Sequence, residues 1–444
     1  MLIRRLPPRA WALLAVALVL RLAAVGATFD TPTTFDPADF SHNGWSIAQG
    51  HGIPPSNRAP AGGRSAYRPP AFPLFLGAVY AAVGRESPAI ARLAEALLGT
   101  LSVGLIGLIA ARIWGRRVGM LALGIAALAP PLVILSTALV SEALFVPLML
   151  AAVLAALEAR RSSRPLRWAI VTGVLVGAAE LTRTNAMVLL PPLAIALWTA
   201  QPRRGRRALM RVSCMLAAFV LTIVPWTARN LVTVHAFVPV STEVGYTLAG
   251  TYNQASRADH HWPAVWKEAE HGASPEYATI LYYASTQRWD ERRLGDRFLA
   301  AAITDIRHDP AYVLKVGMWN TIRMFHLGEL DFAVKNLRDT DIPRIPALLA
   351  ISGFYPLGIL ALAGIATGRA RQAPAWMWLL AICLGSTIFV TGFIRFRSPI
   401  DPFLVLLAAQ AIAAVLERRE RRNVPLVADA TGRPTLRPSA RVHA

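Results

Sequence analysis

The sequence predicts an all-α polytopic membrane protein, with about ten transmembrane helices and two long extracytoplasmic loops carrying short surface helices. Three observations predict it. The 444 residues are 55% hydrophobic and only 16% charged, with mean hydropathy +0.43, too apolar for a soluble chain of this length. Several apolar runs approach the ~20 residues that a helix needs to cross a bilayer. Clusters of Arg fall in every second connection between those runs, the pattern that orients cytoplasmic loops.

Apolar runs between polar punctuation predict spans at 10–28, 91–113, 117–135, 139–157, 166–181, 185–200, 209–227, 346–367, 374–393 and 398–416. Arg4, Arg5 and Arg9 precede the first of these and resemble a signal peptide. No clean small-residue cleavage site follows, so the segment is expected to stay as a span. Arg112, Arg116 and Arg117 lie between the second and third. Arg160, Arg161, Arg164 and Arg167 lie between the fourth and fifth, and Arg203, Arg204, Arg206, Arg207 and Arg211 between the sixth and seventh. Arg369 and Arg371 precede the ninth, and Arg418, Arg419, Arg421 and Arg422 follow the tenth. Both termini are therefore expected in the cytoplasm.

The organisation expected is an N-terminal transmembrane catalytic module over 1–227, containing a first outer loop at 28–90. An outer loop region follows at 228–345, then C-terminal transmembrane helices at 346–416 and a disordered cytoplasmic tail at 417–444. Within the second loop, 289–306 reads as an amphipathic helix broken by His308-Asp309-Pro310.

With 46 basic and 26 acidic residues the net charge is +20. The excess is divided among the loops rather than gathered in a patch, so a nucleic-acid partner is not expected. Cys214 and Cys383 lie in apolar segments and offer no disulfide framework. No internal repeat, nucleotide-binding glycine loop or zinc pattern is present in the sequence.

The chemistry-bearing residues lie on the side opposite the Arg clusters. Glu142 is an isolated charge in the apolar stretch 139–157, where a carboxylate is expensive and functional by default. It also suits a helix start, stabilised by the dipole. Asp36 and Asp39 lie in the first outer loop, one helical turn apart. Asp36 before Pro37 suits a helix N-cap, and a capping carboxylate can still offer its second oxygen to a substrate. Arg68 is stiffened by Pro69 and Pro70; it either anchors the chain at the membrane interface or clamps a lipid phosphate. Arg183, Arg229 with Asn230, and Arg395 with Arg397 occupy other outer turns, where the positive-inside pattern predicts few Arg. Such a set suits a negatively charged, lipid-linked substrate.

In this arrangement the chain resembles the C-type (GT-C) polyprenyl-phosphate-sugar-dependent glycosyltransferases. It resembles the bacterial branch that includes the lipid A aminoarabinose transferases and relatives of the protein O-mannosyltransferases. The resemblance rests on an ordered series over 10–416: Asp36, Phe40, Gly44 and the pair Gly50 and Gly52; Arg68-Pro69-Pro70 with Phe72-Pro73; Ser141-Glu142; Arg183; Pro225-Trp226 with Arg229-Asn230; and Arg395 to Pro399. Pro37 stands where many relatives have a second acid, Phe40 where Tyr is common, and Ala71-Phe72 where Gly-Tyr is frequent.

The resemblance implies inverting transfer of a sugar from a polyprenyl-phosphate donor to a lipid, glycan or protein acceptor. It places the reaction on the outer face of a bacterial inner membrane. It implies Asp36 as general base, with Glu142 and Asp39 as supporting acids. Arg68, Arg183, Arg395 and Arg397 would hold the donor phosphate. Phe40, Tyr67, Arg229 and Asn230 would contact the acceptor or shape the site. The carboxylates Asp36, Asp39 and Glu142 admit a divalent metal ion, although no His-rich ligand set accompanies them. The competing reading is a transporter or flippase of lipid-linked sugars, which favours midplane sites and related halves.

Overall fold

Helices form nearly every regular element of the computed structural model, which describes residues 7–200, 205–269 and 274–422 and two short strands beyond them. The first apolar run is α1 (Pro8–Thr28). The long connection after it is not merely a surface loop. It holds α2 (Phe35–Ala48) and the apolar α3 (Ala71–Val83). The second run is α4 (Pro88–Trp114). The third is divided into α5 (Arg116–Leu128) and α6 (Pro130–Leu135), because Pro130 and Pro131 cannot donate to the preceding turn. α7 (Glu142–Ala159) and α8 (Pro165–Glu180) follow. The sixth run opens as a 3₁₀ turn at Thr184–Leu189 and continues as α9 (Leu190–Trp198), and α10 spans Gly205–Thr233.

The second long connection carries α11 (Glu243–Thr251), α12 (Gln254–Ala258), α13 (Pro275–Thr286), α14 (Glu291–His308), α15 (Ala311–Met324) and α16 (Leu330–Arg338). The amphipathic segment is α14, capped by Asp290 accepting from the Arg293 N–H at 2.7 Å and ended before Asp309-Pro310. α17 (Arg344–Ala366), α18 (Ala375–Gly385) and α19 (Asp401–Arg422) complete the bundle. Each expected span thus has a helical counterpart, and among the described residues five helices are long and apolar enough to cross a membrane singly. The tail reading at 417–444 is corrected at its start: α19 continues through 417–422, where Glu417 and Glu420 pair with Arg369 and Arg117. Beyond 422, only the backbone of the antiparallel pair Val427–Ala428 and Pro434–Thr435 is described, and the rest of the tail lies outside the described residues. Arg4, Arg5, Arg203 and Arg204 also lie outside them.

Small residues let the helices approach closely, as is usual between membrane helices. A Cβ on Gly173 would lie 2.1 Å from the Met215 carbonyl oxygen, and one on Gly177 2.6 Å from Thr222 Cβ, so α8 seats directly on α10. Gly44 brings α2 equally close to α3, since its Cβ would lie 2.7 Å from Leu76 Cβ. Gly44→Val is expected to force these two helices apart, destabilise the protein by about 1–3 kcal/mol and lower any activity that needs α2 in place. The thermal midpoint and turnover of the purified variant check this.

The Arg-rich connections meet at one end of the bundle. Arg112 pairs with Glu158 at 3.0 Å, Arg161 donates to the Arg112 carbonyl at 2.6 Å, and Trp114 donates to the Arg369 carbonyl at 3.4 Å. The other end gathers the start of α2, the start of α7, the turn after α8 and the turn before α19. Charges inside the spans reinforce that end. Fully buried Arg92 donates to the carbonyls of Thr28 and Thr31 at 2.8 and 3.1 Å, and buried Glu95 accepts the Leu139 N–H at 3.0 Å. Leu139 has φ of 45°, so Glu95 helps hold a strained turn just before Glu142.

Candidate active site

Asp36 does not cap its helix. The N-cap of α2 is Thr34, whose N–H and hydroxyl both donate to Asp341 Oδ1, at 3.0 and 2.9 Å. Asp36 is set inside the first turn, and its carboxylate is released for long-range pairing. One oxygen accepts from Arg68 and the other from Arg395. Burial by itself would raise the Asp36 carboxyl. The two guanidinium charges and their hydrogen bonds outweigh it and hold the group well below the usual carboxylate range.

Arg68 is the organiser of the acids. Besides Asp36 it donates through Nε to Asp39 at 2.7 Å and through Nη1 to Glu243 at 3.1 Å, while its plane lies over the Phe40 and Tyr67 rings at 4.7 and 5.0 Å. The stretch that presents it is pinned from both sides. Arg229 donates to the Ser65 carbonyl at 2.8 Å and to Asn230 Oδ1 at 3.0 Å, and Asn230 donates to the Val238 carbonyl at 3.0 Å. Glu291 accepts from Ser65 Oγ at 2.8 Å, from the Ala66 N–H at 3.0 Å and from Thr242 Oγ1 at 2.8 Å. Arg229 and Asn230 therefore shape the backbone near Arg68.

Glu142 begins α7, with only 1% exposure. Arg183 reaches it at 2.7 Å and Arg395 at 3.7 Å, and Arg183 also donates to Ser141 Oγ at 2.9 Å. It sits behind the two arginines and fixes them. The Nε atoms of both Arg183 and Arg395 are buried without a hydrogen-bond partner. Arg397, two residues along the Ile394–Arg397 turn, points elsewhere: it binds Asp401 at 2.9 Å and the Met324 carbonyl at 2.6 Å, and covers the Phe354 ring at 3.9 Å.

Asp36, Arg68, Glu243 and Arg395 line two cavities at once. One is about 810 Å³ and reaches among the helices of the second long connection. The other is about 260 Å³ and is closed by Phe40, Arg183, Asn185, Val244 and Leu248. Asp39 and Tyr67 face only the larger, and Arg183 only the smaller.

Glu243 is the site residue that the sequence did not reveal. Burial raises its carboxyl against the pull of Arg68, and the Asp36 charge adds to the rise. An acid in the first turn of a short helix is ordinary dipole chemistry, so no local signal marks it. Among the described residues no group of three or more His, Cys, Asp or Glu side chains is placed to hold a metal ion. Asp36, Asp39 and Glu142 instead direct their oxygens at guanidinium groups, so the metal set suggested by the sequence does not fit the geometry.

The Thr34 tie carries a pH dependence. Burial raises the Asp341 carboxyl to about 6, against the Thr34 hydrogen bonds and Arg92. A folded-state value above the unfolded one contributes stability below ~4 that is lost as pH rises through about 6. Asp341→Asn, which removes the charge, is expected to gain thermal stability relative to the unaltered protein between pH 5 and 7.5. A parallel pair of melting curves across that range tests it.

Residues 67–228 match the family model described as dolichyl-phosphate-mannose-protein mannosyltransferase. The fold is GT-C, shared with the oligosaccharyltransferase AglB of Archaeoglobus fulgidus. In complex with an inhibitory peptide and a dolichol-phosphate, that protein aligns at TM-score 0.55 and 15% identity over 96% of this chain and 52% of its own. Tethered to an acceptor peptide containing the NVT sequon, it aligns at TM-score 0.56 and 13% identity over 94% and 50%. ArnT from Cupriavidus metallidurans bound to undecaprenyl phosphate aligns at TM-score 0.45 and 13% identity over 93% of this chain and 80% of that one. The chain thus spans about half the length of the archaeal enzyme. No curated protein matches it by sequence.

Proposed function

We propose that this GT-C-fold membrane protein is an inverting glycosyltransferase that moves a sugar from a polyprenyl phosphate to an acceptor hydroxyl, on the extracytoplasmic face of a bacterial inner membrane. The observation that carries the reading is the Asp36 carboxylate, held between Arg68 and Arg395 in the wall common to two cavities. The match at 67–228 to a family named for a lipid-phosphate sugar donor supports it, as does the dolichol-phosphate bound by AglB. The Arg-rich connections at the opposite end of the bundle, the pattern of cytoplasmic loops, support that face.

In this mechanism the acceptor oxygen attacks the anomeric carbon from the side opposite the phosphate. Its proton passes to Asp36. The carbon–oxygen bond to the phosphate breaks, and the electron pair leaves on the lipid phosphate, so the configuration inverts. Arg183, with a buried Nε that has no hydrogen-bond partner, and Arg395, whose Nε lies 3.7 Å from Glu142, neutralise the charge that grows there. Arg68, with every nitrogen on a carboxylate, orders the acids instead. Glu142 fixes Arg183 and Arg395 from behind.

Proteoliposomes charged with radiolabelled polyprenyl-phosphate sugars test the reading. Labelled acceptor with release of the lipid phosphate is expected. Movement of label across the bilayer without a product would replace it with lipid-linked sugar transport.

A further inference from the structure

From the larger cavity we infer that the acceptor is a neutral carbohydrate, stacked on Trp262, Trp266 and Phe393 with its hydroxyl directed at Asp36. The inference rests on the glycosyltransferase reading and names the substrate class of that same site.

The three rings are half-buried on the cavity wall, each keeping part of its surface open. They are also rigid. Trp266 donates to the Thr247 carbonyl at 3.1 Å and packs where Gly250 leaves room, since a Cβ there would lie 2.2 Å from its Nε1. It meets Phe393 edge to face, with centroids 5.8 Å apart. Trp262 packs edge to face on Phe332 at 5.6 Å, and its backbone N–H donates to Asp259 Oδ1 at 2.8 Å, which fixes the turn that carries the ring. Fixed aromatic faces offer negative charge density to the polarised C–H groups of a sugar ring.

The charges on the wall complete the argument. The lining carries six acidic and five basic side chains, so little net field remains for an ionic headgroup. They are matched locally: Lys267 with Asp259 at 2.8 Å, Lys335 with Asp339 at 2.8 Å, and Arg58 with Glu268 at 3.5 Å. Paired charges of this kind retain hydrogen-bonding capacity for hydroxyl groups. An acyl chain would need a continuous apolar wall. A peptide acceptor is commonly read through a strand edge, and among the described residues no strand lines this cavity.

The test is binding to the purified full chain in nanodiscs, without donor, by calorimetry. The probes are neutral hexose and pentose tetrasaccharides, a Ser/Thr-containing hexapeptide and a lysophosphatidylglycerol. At least one tetrasaccharide is expected to bind. Trp262→Ala and Trp266→Ala are expected to weaken it by about ten-fold each, with Trp262→Tyr restoring most of the affinity. Undecaprenyl phosphate binding and the melting point should stay unchanged in Trp262→Tyr, which keeps the test valid if an Ala variant misfolds. Asp36→Asn should still bind the tetrasaccharide while transferring sugar about 10²–10⁴-fold more slowly. Failure of every tetrasaccharide, equal binding by the Trp variants, or preference for the peptide or the lipid would each overturn the inference. Full transfer by Asp36→Asn would instead overturn the underlying catalytic reading, whatever the binding data.

Discussion

Asp36→Asn is expected to lower turnover by about 10²–10⁴-fold, the usual contribution of a positioned general base, while the protein still folds. Asn keeps the size of the side chain and one acceptor oxygen for Arg68 or Arg395, so the loss falls on proton transfer. The pH dependence gives a sharper readout. In the donor-free protein, Arg68 and Arg395 hold the Asp36 carboxyl well below its usual range, despite burial. A carboxylate so held is a weak base. A bound phosphate competes for Arg395 and relieves part of that hold, so the Asp36 carboxyl rises in the complex. The acidic limb of kcat is therefore expected at higher pH than the acidic limb of kcat/KM for the donor, because the first reports the complex and the second the free enzyme. Coincident limbs would remove Arg395 as the link between donor binding and base activation.

The second large effect is expected at Arg183. It lines only the smaller cavity, is anchored by Glu142 at 2.7 Å and Ser141 at 2.9 Å, and keeps a buried Nε without a partner. Removing one pre-organised donor to a developing anion commonly costs about 10²–10³-fold in kcat. Arg183→Ala should show that loss, with Arg183→Lys recovering only part because the planar fork is gone. Glu142→Gln should weaken both arginines and depress turnover without touching the substrate directly. Arg397→Ala is the contrast. That residue is committed to Asp401, the Met324 carbonyl and the Phe354 ring, so its loss should lower folded yield but leave turnover per folded molecule nearly unchanged. Single-turnover rates on the four purified variants separate these outcomes.

The apolar runs, the alternation of Arg clusters and the candidacy of Asp36, Glu142, Arg68, Arg183 and Arg395 were legible before any coordinates, and the structure brings those five side chains together. Hydropathy and loop charge act locally, since each segment meets lipid or water on its own account. Individual partnerships were not legible. Arg395 and Arg397 look equivalent along the chain, yet in a 3₁₀ turn residues two apart point about 120° from each other. One faces Asp36 and the other is turned to Asp401. Thr34 displaced Asp36 from the cap because Asp341, far along the chain, takes both its N–H and its hydroxyl. Glu243 was hidden for the same reason: its role exists only because Arg68 arrives from another loop.

By itself the sequence determined that this is a helical, multi-pass membrane protein, with its Arg clusters on one side and its candidate acids, with a few further arginines, on the other. Only the tertiary structure decided which arginine serves which acid, and that Asp36 lies in the wall between two cavities. Partition into a bilayer is a property of each segment's composition. An ion pair in a buried site depends on the angle and distance between groups brought from separate helices, which no stretch of sequence contains.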